Sequence, residues 1–203
     1  MGHKFAEIAF SAEAKALQVQ HGSRDSYARM EGGPDVNHLL SAREAEFIGA
    51  RDSFYMATVG ANGWPYVQHR GGPAGFVRVL DETTLGFADF RGNRQYVSVG
   101  NLATDDRVSL FFMDYAHRRR LKLLGRAVMV PTEDTGLLAR LELPDYRARV
   151  ERGILIKVEA FDWNCPQHIT PRFTAAEIEQ AAQPLHRRIA ELEAQAARLK
   201  TAG

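Results

Sequence analysis

Apolar and polar positions alternate with a period of two through the middle of the chain, and with a period of three to four residues towards its ends. Strand-like runs lie over Phe54–Val59, Trp64–Arg70, Phe76–Leu80, Leu85–Ala88, Arg107–Met113, Arg119–Val130 and Gly153–Asp162, with Val108, Leu110 and Phe112 alternating with their neighbours in Arg107–Met113. They are rich in aromatic and β-branched residues, which pack well on a pleated surface. Tight turns separate them. Asn62-Gly63 is a hairpin signal, because both residues tolerate positive φ, and Asp81-Glu82-Thr83-Thr84 turns a second hairpin. Strands joined by short turns, without alternating helices, predict antiparallel pairing. The expected fold is mainly β with flanking helices, a small antiparallel barrel of six to seven strands.

The helical segments carry their own signals. Ser11 is an N-cap for a helix to Gln20, with Gly22 placed to stop it. Gly22–Pro34 is polar and turn-rich and reads as loop. Ser41-Ala42-Arg43-Glu44 is a capping box that opens a helix ending near Arg51. A short helix is expected up to about Thr104, and Pro131-Thr132-Glu133-Asp134 opens another, to about Leu143, with acid in its first turn as the helix dipole favours. From Thr174, apolar residues fall at Ile178, Ala182, Leu185, Ile189, Leu192, Ala196 and Leu199, one seam on a helix. Pro184 predicts a kink or break near Gln183. The seam packs either on its own barrel or against a second subunit. The expected organisation is an N-terminal helix and loop over residues 1–40, a barrel over 41–173 and an amphipathic helix over 174–203.

Composition narrows the class. The 203 residues suffice for one sizeable core, and 45% of them are apolar. Lys+Arg is 26 against Asp+Glu 25, so overall charge supplies no case for nucleic acid or an anionic membrane. No apolar run approaches a membrane span, and the N-terminus lacks the long apolar stretch of a signal peptide. The single cysteine, Cys165, excludes an internal disulfide and fits a reducing compartment; the expectation is a cytoplasmic protein. Cys165 and His168 have the C-x-x-H spacing of half a metal site, but a structural zinc needs about four ligands, so no metal is expected.

Asp89-Phe90-Arg91-Gly92-Asn93-Arg94-Gln95-Tyr96-Val97-Ser98 is unlike the rest of the chain. It follows an apolar strand and opens a helix. Gly92 permits close backbone approach, Asn93 and Ser98 are side-chain donors, and Arg91 and Arg94 are cations. Backbone N–H groups at a helix start beside guanidinium groups make a phosphate seat. Asp89 fits such a seat only by pointing away or by pairing with Arg94. No G-x-G-x-x-G, no G-x-x-x-x-G-K and no H-E-x-x-H occurs.

Pro65 to Leu80, Phe87-Ala88-Asp89, Gly92-Asn93-Arg94, Ser98, Asn101-Leu102 and Arg120 to Arg126 together resemble the pyridoxamine 5'-phosphate oxidase-related proteins, which are FMN-binding split barrels. The likeness covers roughly residues 40 to 170 and is nearest to the predicted flavin-nucleotide-binding proteins of that superfamily. It implies a homodimer with FMN at the subunit interface and a flavin-dependent oxidoreductase acting on a small molecule. The alternatives are a non-catalytic flavin carrier or sensor, or the same barrel holding a deazaflavin or haem. By the resemblance, Gln68, His69 and Arg70 run along the flavin, and Asn93, Arg94 and Ser98 hold its phosphate. Arg120 stands where the oxidase often has a glutamine that reaches the ring. Trp163 and Arg172 take the place of a Trp and an Arg that the oxidase's C-terminal part supplies. No acid–base pair is evident, and no catalytic residue is assigned.

Overall fold

The computed structural model describes residues 2–34, 36–163 and 166–201. Four helices come first, α1 (Lys4–Ala9), α2 (Ala12–Gln20), α3 (Arg24–Glu31) and α4 (Ala42–Gly49). Strands β1 (Ser53–Val59), β2 (Pro65–Gly71), β3 (Val77–Asp81) and β4 (Thr84–Phe90) follow, then helix α5 (Val97–Leu102). Strands β5 (Arg107–Asp114) and β6 (Arg119–Val130), helix α6 (Thr135–Leu141), strand β7 (Val150–Trp163) and helix α7 (Ala175–Thr201) complete the chain. The chain divides into two compact units, one of residues 1–114 and 119–166, the other of residues 115–118 and 167–203. The first holds α1 to α6 and the sheet; the second holds α7.

Several elements start where the local signals place them. Ser41 accepts from Arg43 N, and the Glu44 carboxylate accepts from Ser41 N at 3.1 Å, completing the capping box. The Ser11 hydroxyl accepts from Ala14 N. Helix α1 precedes the expected N-terminal helix, and α3 and α7 also depart from expectation. The polar stretch after Gly22 contains α3, held by ion pairs of Glu31 with Arg24 and Lys15 and by Tyr27 packed edge-on to Phe10 at 5.2 Å. The Lys15 and Phe10 contacts reach outside the helix and are invisible to a local turn count. Helix α7 continues through Pro184, so no break occurs there.

All seven strands join one antiparallel sheet in the order β2-β1-β5-β6-β7-β4-β3. The sheet is not closed: β2 and β3 are its two edges. It curls until non-neighbouring strands touch. Phe54 of β1 packs on Phe87 of β4 at 5.2 Å and on Phe76, just before β3, at 5.8 Å. Phe112 stacks on the other side of Phe54 at 5.0 Å. Around them Met56, Leu85, Leu110, Leu121, Leu123, Ile154 and Ile156 are fully buried. Burying such side chains is worth about 1.5–3 kcal/mol each, so the interior of the curl is the core, and the fold is a split β-barrel.

Glycines admit the flanking helix. A Cβ on Gly86 would lie 2.9 Å from Leu141 Cδ2, and one on Gly153 would lie 2.8 Å from Leu141 Cδ1. Leu141 of α6 thus fills the space over β4 and β7, and β4 is buried on both faces up to Asp89. At Gly125 the β6–β7 register shifts, and a Cβ there would lie 2.5 Å from Lys157 O. Only a glycine fits this bulge.

Candidate functional site

The open side of the curled sheet carries a cleft. Gln68 and Arg70 of β2 form one wall; Asp89, Phe90 and the loop Gly92, Asn93, Arg94 form the other, with Tyr96, Ser98 and Glu151 beside it. A second cleft of about 230 Å³ shares Gln68, Arg70, Asp89, Phe90 and Gly92 and adds His69, Phe76, Phe87 and Arg91. Strand alternation sets who faces in. Gln68 and Arg70 are partly covered, whereas His69 is out of phase and exposed, its ring edge-on to Tyr55 at 5.5 Å.

The polar groups form a connected set. Buried Ser98 donates its hydroxyl proton to Gln68 Oε1 at 2.9 Å. That bond orients the Gln68 amide and leaves its N–H groups to donate elsewhere. Asn93 Oδ1 accepts from Gln95 N at 3.2 Å, closing a local turn. Arg94 Nε lies 3.4 Å from the Tyr96 hydroxyl, which donates to Glu151 Oε1 at 3.2 Å. Arg94 and Tyr96 take left-handed backbone, φ 63° and 56°. Such geometry in non-glycine residues costs on the order of 1 kcal/mol or more and gathers at ligand sites. Gly92, by contrast, has open space around its Cβ position and no positive φ. The protein itself does not require a glycine there.

Asp89 is resolved by two arginines. It ion-pairs with Arg70 across the seam and with Arg152 Nε at 3.5 Å, the latter directly opposite in the β4–β7 register. Arg94, the partner anticipated from the sequence, is engaged with Tyr96 instead. Burial pushes the Asp89 carboxyl above its usual range, against the pull of Arg70 and Arg152. Glu151 meets Arg91 at 3.7 Å and Arg152 at 3.2 Å. Both carboxylates near the cleft are therefore neutralised by guanidinium groups.

What remains is a surplus of donors. Arg70 Nε is buried and has no hydrogen-bond partner among the described residues. The Gln68 and Asn93 amides and the Arg94 guanidinium add N–H groups at the same mouth. A donor-rich, cation-lined cleft of this kind suits an oxyanion such as a phosphate group. Charge neutralisation of Asp89 and Glu151 removes the obvious electrostatic objection to one.

Arg120 sits on β6 opposite Met113, its Nε buried without a partner among the described residues. Trp163 Nε1 donates to Glu44 Oε1 at 2.7 Å, its ring is edge-on to Phe47 at 4.7 Å, and Arg43 lies over it at 4.5 Å. Arg172 lies over the Tyr115 ring at 4.8 Å, both in the second unit. Cys165 is outside the described residues. Tyr96, Glu151 and Arg152 were not anticipated. The only sequence signal for the last two is a charged pair just ahead of Gly153, where the sequence reading starts the last strand; β7 begins at Val150 and takes both in, so their meaning depends on register.

Residues 40–162 match the family model described as Pyridoxamine 5'-phosphate oxidase. The match spans more than half of the chain, and the chain belongs to this family. No curated protein matches it. Among solved structures, HupZ of Group A Streptococcus is similar at 16% identity, over 66% of this chain and 100% of that one, with a TM-score of 0.47. A Clostridium acetobutylicum protein related to general stress protein 26 is similar at 16% identity, over 67% and 94%, with a TM-score of 0.46. General Stress Protein 26 of Bacillus anthracis follows at 14% identity, over 64% and 92%, with a TM-score of 0.45. No helix among the described residues is long and apolar enough to cross a membrane.

Proposed function

We propose that this chain binds FMN in the cleft between β2 and the β4–α5 loop, as a homodimer, and acts as a flavin-dependent oxidoreductase on a small molecule. The observation that carries the proposal is the convergence of Gln68, Arg70, Asn93, Arg94 and Ser98 on one cleft whose carboxylates are already paired. Arg94 and Asn93, at the exposed rim, would hold the phosphate. Gln68, fixed by Ser98, and Arg70 would lie along the more covered wall. His69 stands beside this set rather than in it, and Arg120 lines neither cleft. Trp163 spends its indole N–H on Glu44 and serves in this reading as the anchor of α4. FMN supplies reversible electron transfer of its own; the chain's residues seat it, set the field around it and limit water. No side chain is assigned a proton-transfer role.

The test is a titration of the purified protein with FMN and with riboflavin. FMN is expected to bind at least about tenfold more tightly, because its phosphate makes the charge-assisted contacts. Equal affinities would remove the phosphate seat, and a haem or deazaflavin spectrum in the protein as purified would replace the cofactor. Reduction by NADH or NADPH faster than that of free FMN distinguishes an oxidoreductase from a carrier.

A further inference from the structure

Helix α7 exposes an apolar seam, from Leu192 at 46% to Leu199 at 77% exposed, with Ile178, Leu185 and Ile189 between those values. A seam of this size on a free helix face calls for a partner. The charges on the same helix say which partner fits. They run in four blocks: acidic at Glu177 and Glu179, basic at Arg187 and Arg188, acidic at Glu191 and Glu193, basic at Arg198 and Lys200. The order acidic, basic, acidic, basic is its own complement when the helix is reversed. Laid parallel on a second copy, every block would meet its own sign.

We propose that α7 pairs antiparallel with α7 of a second copy, about a two-fold axis between Ala190 and Glu191. The packing agrees with the charges in one register. With the seam steps of four and three taken as core positions, Ile189 meets Leu192 of the partner subunit, Leu185 meets Ala196 of the partner subunit, and Ala182 meets Leu199 of the partner subunit. Leu185 and Leu199, outside the centre, each face an alanine, so the helices approach closely without overpacking. The flanking positions then set Glu179 beside Lys200 of the partner subunit and His186 beside Glu193 of the partner subunit. The two-fold repeats each contact. Pro184 falls on the outer face of this pair, where its missing N–H and ring leave the seam undisturbed. The inference rests on the homodimer proposed above but not on its cofactor.

The native full-length protein supplies the experiment. Glu179 and Lys200 are 21 residues apart, about 31 Å along one helix at 1.5 Å per residue. A zero-length bond between them must join two chains. Carbodiimide treatment, isolation of the dimer band and peptide mapping are expected to yield a Glu179–Lys200 isopeptide. A dimer band in which Lys200 is linked to other carboxylates, or to none, would overturn the pairing. A second arm uses Cys165→Ser protein. L185C mixed with A196C should form a mixed disulfide at least about tenfold faster than either alone, the thiols being within the short reach of that bond. L185C linking to itself would mean parallel helices and would sink the proposal. Protein that takes no FMN yet gives both links would leave this pairing standing and fault only the cofactor.

Discussion

Arg70, on the edge strand β2, forms an ion pair with Asp89 of β4, a strand near the opposite edge of the same sheet. The pair spans the split of the barrel, above the Phe54–Phe87 contact that closes it from inside. It also holds a carboxylate beside the proposed phosphate seat without leaving that charge uncompensated.

Asp89 gives a pH signature. Its folded pKa is raised, first by burial, so the folded state holds this proton more tightly than the unfolded state does. The stability this brings is present in full below the unfolded value, ~3.9, and is lost as pH rises through the folded value. Asp89→Asn cannot titrate. Across pH 3–7, the stability of FMN-free wild type relative to Asp89→Asn should therefore fall with rising pH, as read by chemical denaturation. A flat difference would show that Asp89 titrates normally.

Arg94 is exposed and carries no core contact, so Arg94→Ala should leave the fold and the melting temperature unchanged. Its FMN affinity should drop about ten- to a hundred-fold, the range for a lost hydrogen bond to a charged group. Arg107→Ala, an exposed arginine paired with Asp105 away from the cleft, is the control and should bind normally. Normal FMN affinity in Arg94→Ala would take Arg94 out of the seat.

Ser98 acts through Gln68. Ser98→Ala removes the donor to Gln68 Oε1 and should weaken FMN by about three- to tenfold, with a stability loss of about 1 kcal/mol. Gln68→Ala should cost as much or more, and the double variant should cost little beyond Gln68→Ala, since both act on one contact. Additive losses in a double-mutant cycle would show that the two residues reach the ligand independently.

Glu44 and Trp163 tie α4 to the end of β7. Burial raises the Glu44 pKa, but hydrogen bonds from Ser41 and Trp163 outweigh it, and the carboxyl lies below its usual range. Its contribution is present above the unfolded value, ~4.3, and is lost as pH falls through the depressed folded value. Trp163→Phe keeps the ring and removes the donor. The expected cost is about 2 kcal/mol at neutral pH, or about 4–8 °C in melting temperature for a chain of this length. That deficit should shrink in acid. An unchanged melting temperature would mean that the indole N–H bond carries no stability.

The sequence by itself determined what depends on neighbours along the chain. Ser41 and Glu44 cap a helix because they stand three positions apart. Asn62-Gly63 turns a hairpin because both residues tolerate its dihedrals. Alternation in a segment such as Arg107–Met113 marks one face to bury. The unusual loop from Asp89 to Ser98 was legible for the same reason: its donors and cations are consecutive. Tertiary structure alone decided the rest. Strand order puts β4 beside β7, and only that register sets Asp89 opposite Arg152. Curling of the sheet brings Arg70 to Asp89 from 19 residues away, a distance at which no local pattern assigns partners. Helix α3 forms in a polar stretch because Phe10, Lys15 and the ends of the helix itself supply contacts that composition does not reveal. Trp163 turns to Glu44, 119 residues away, because a buried indole N–H must find an acceptor, and the fold, not the spacing, brings that acceptor within reach.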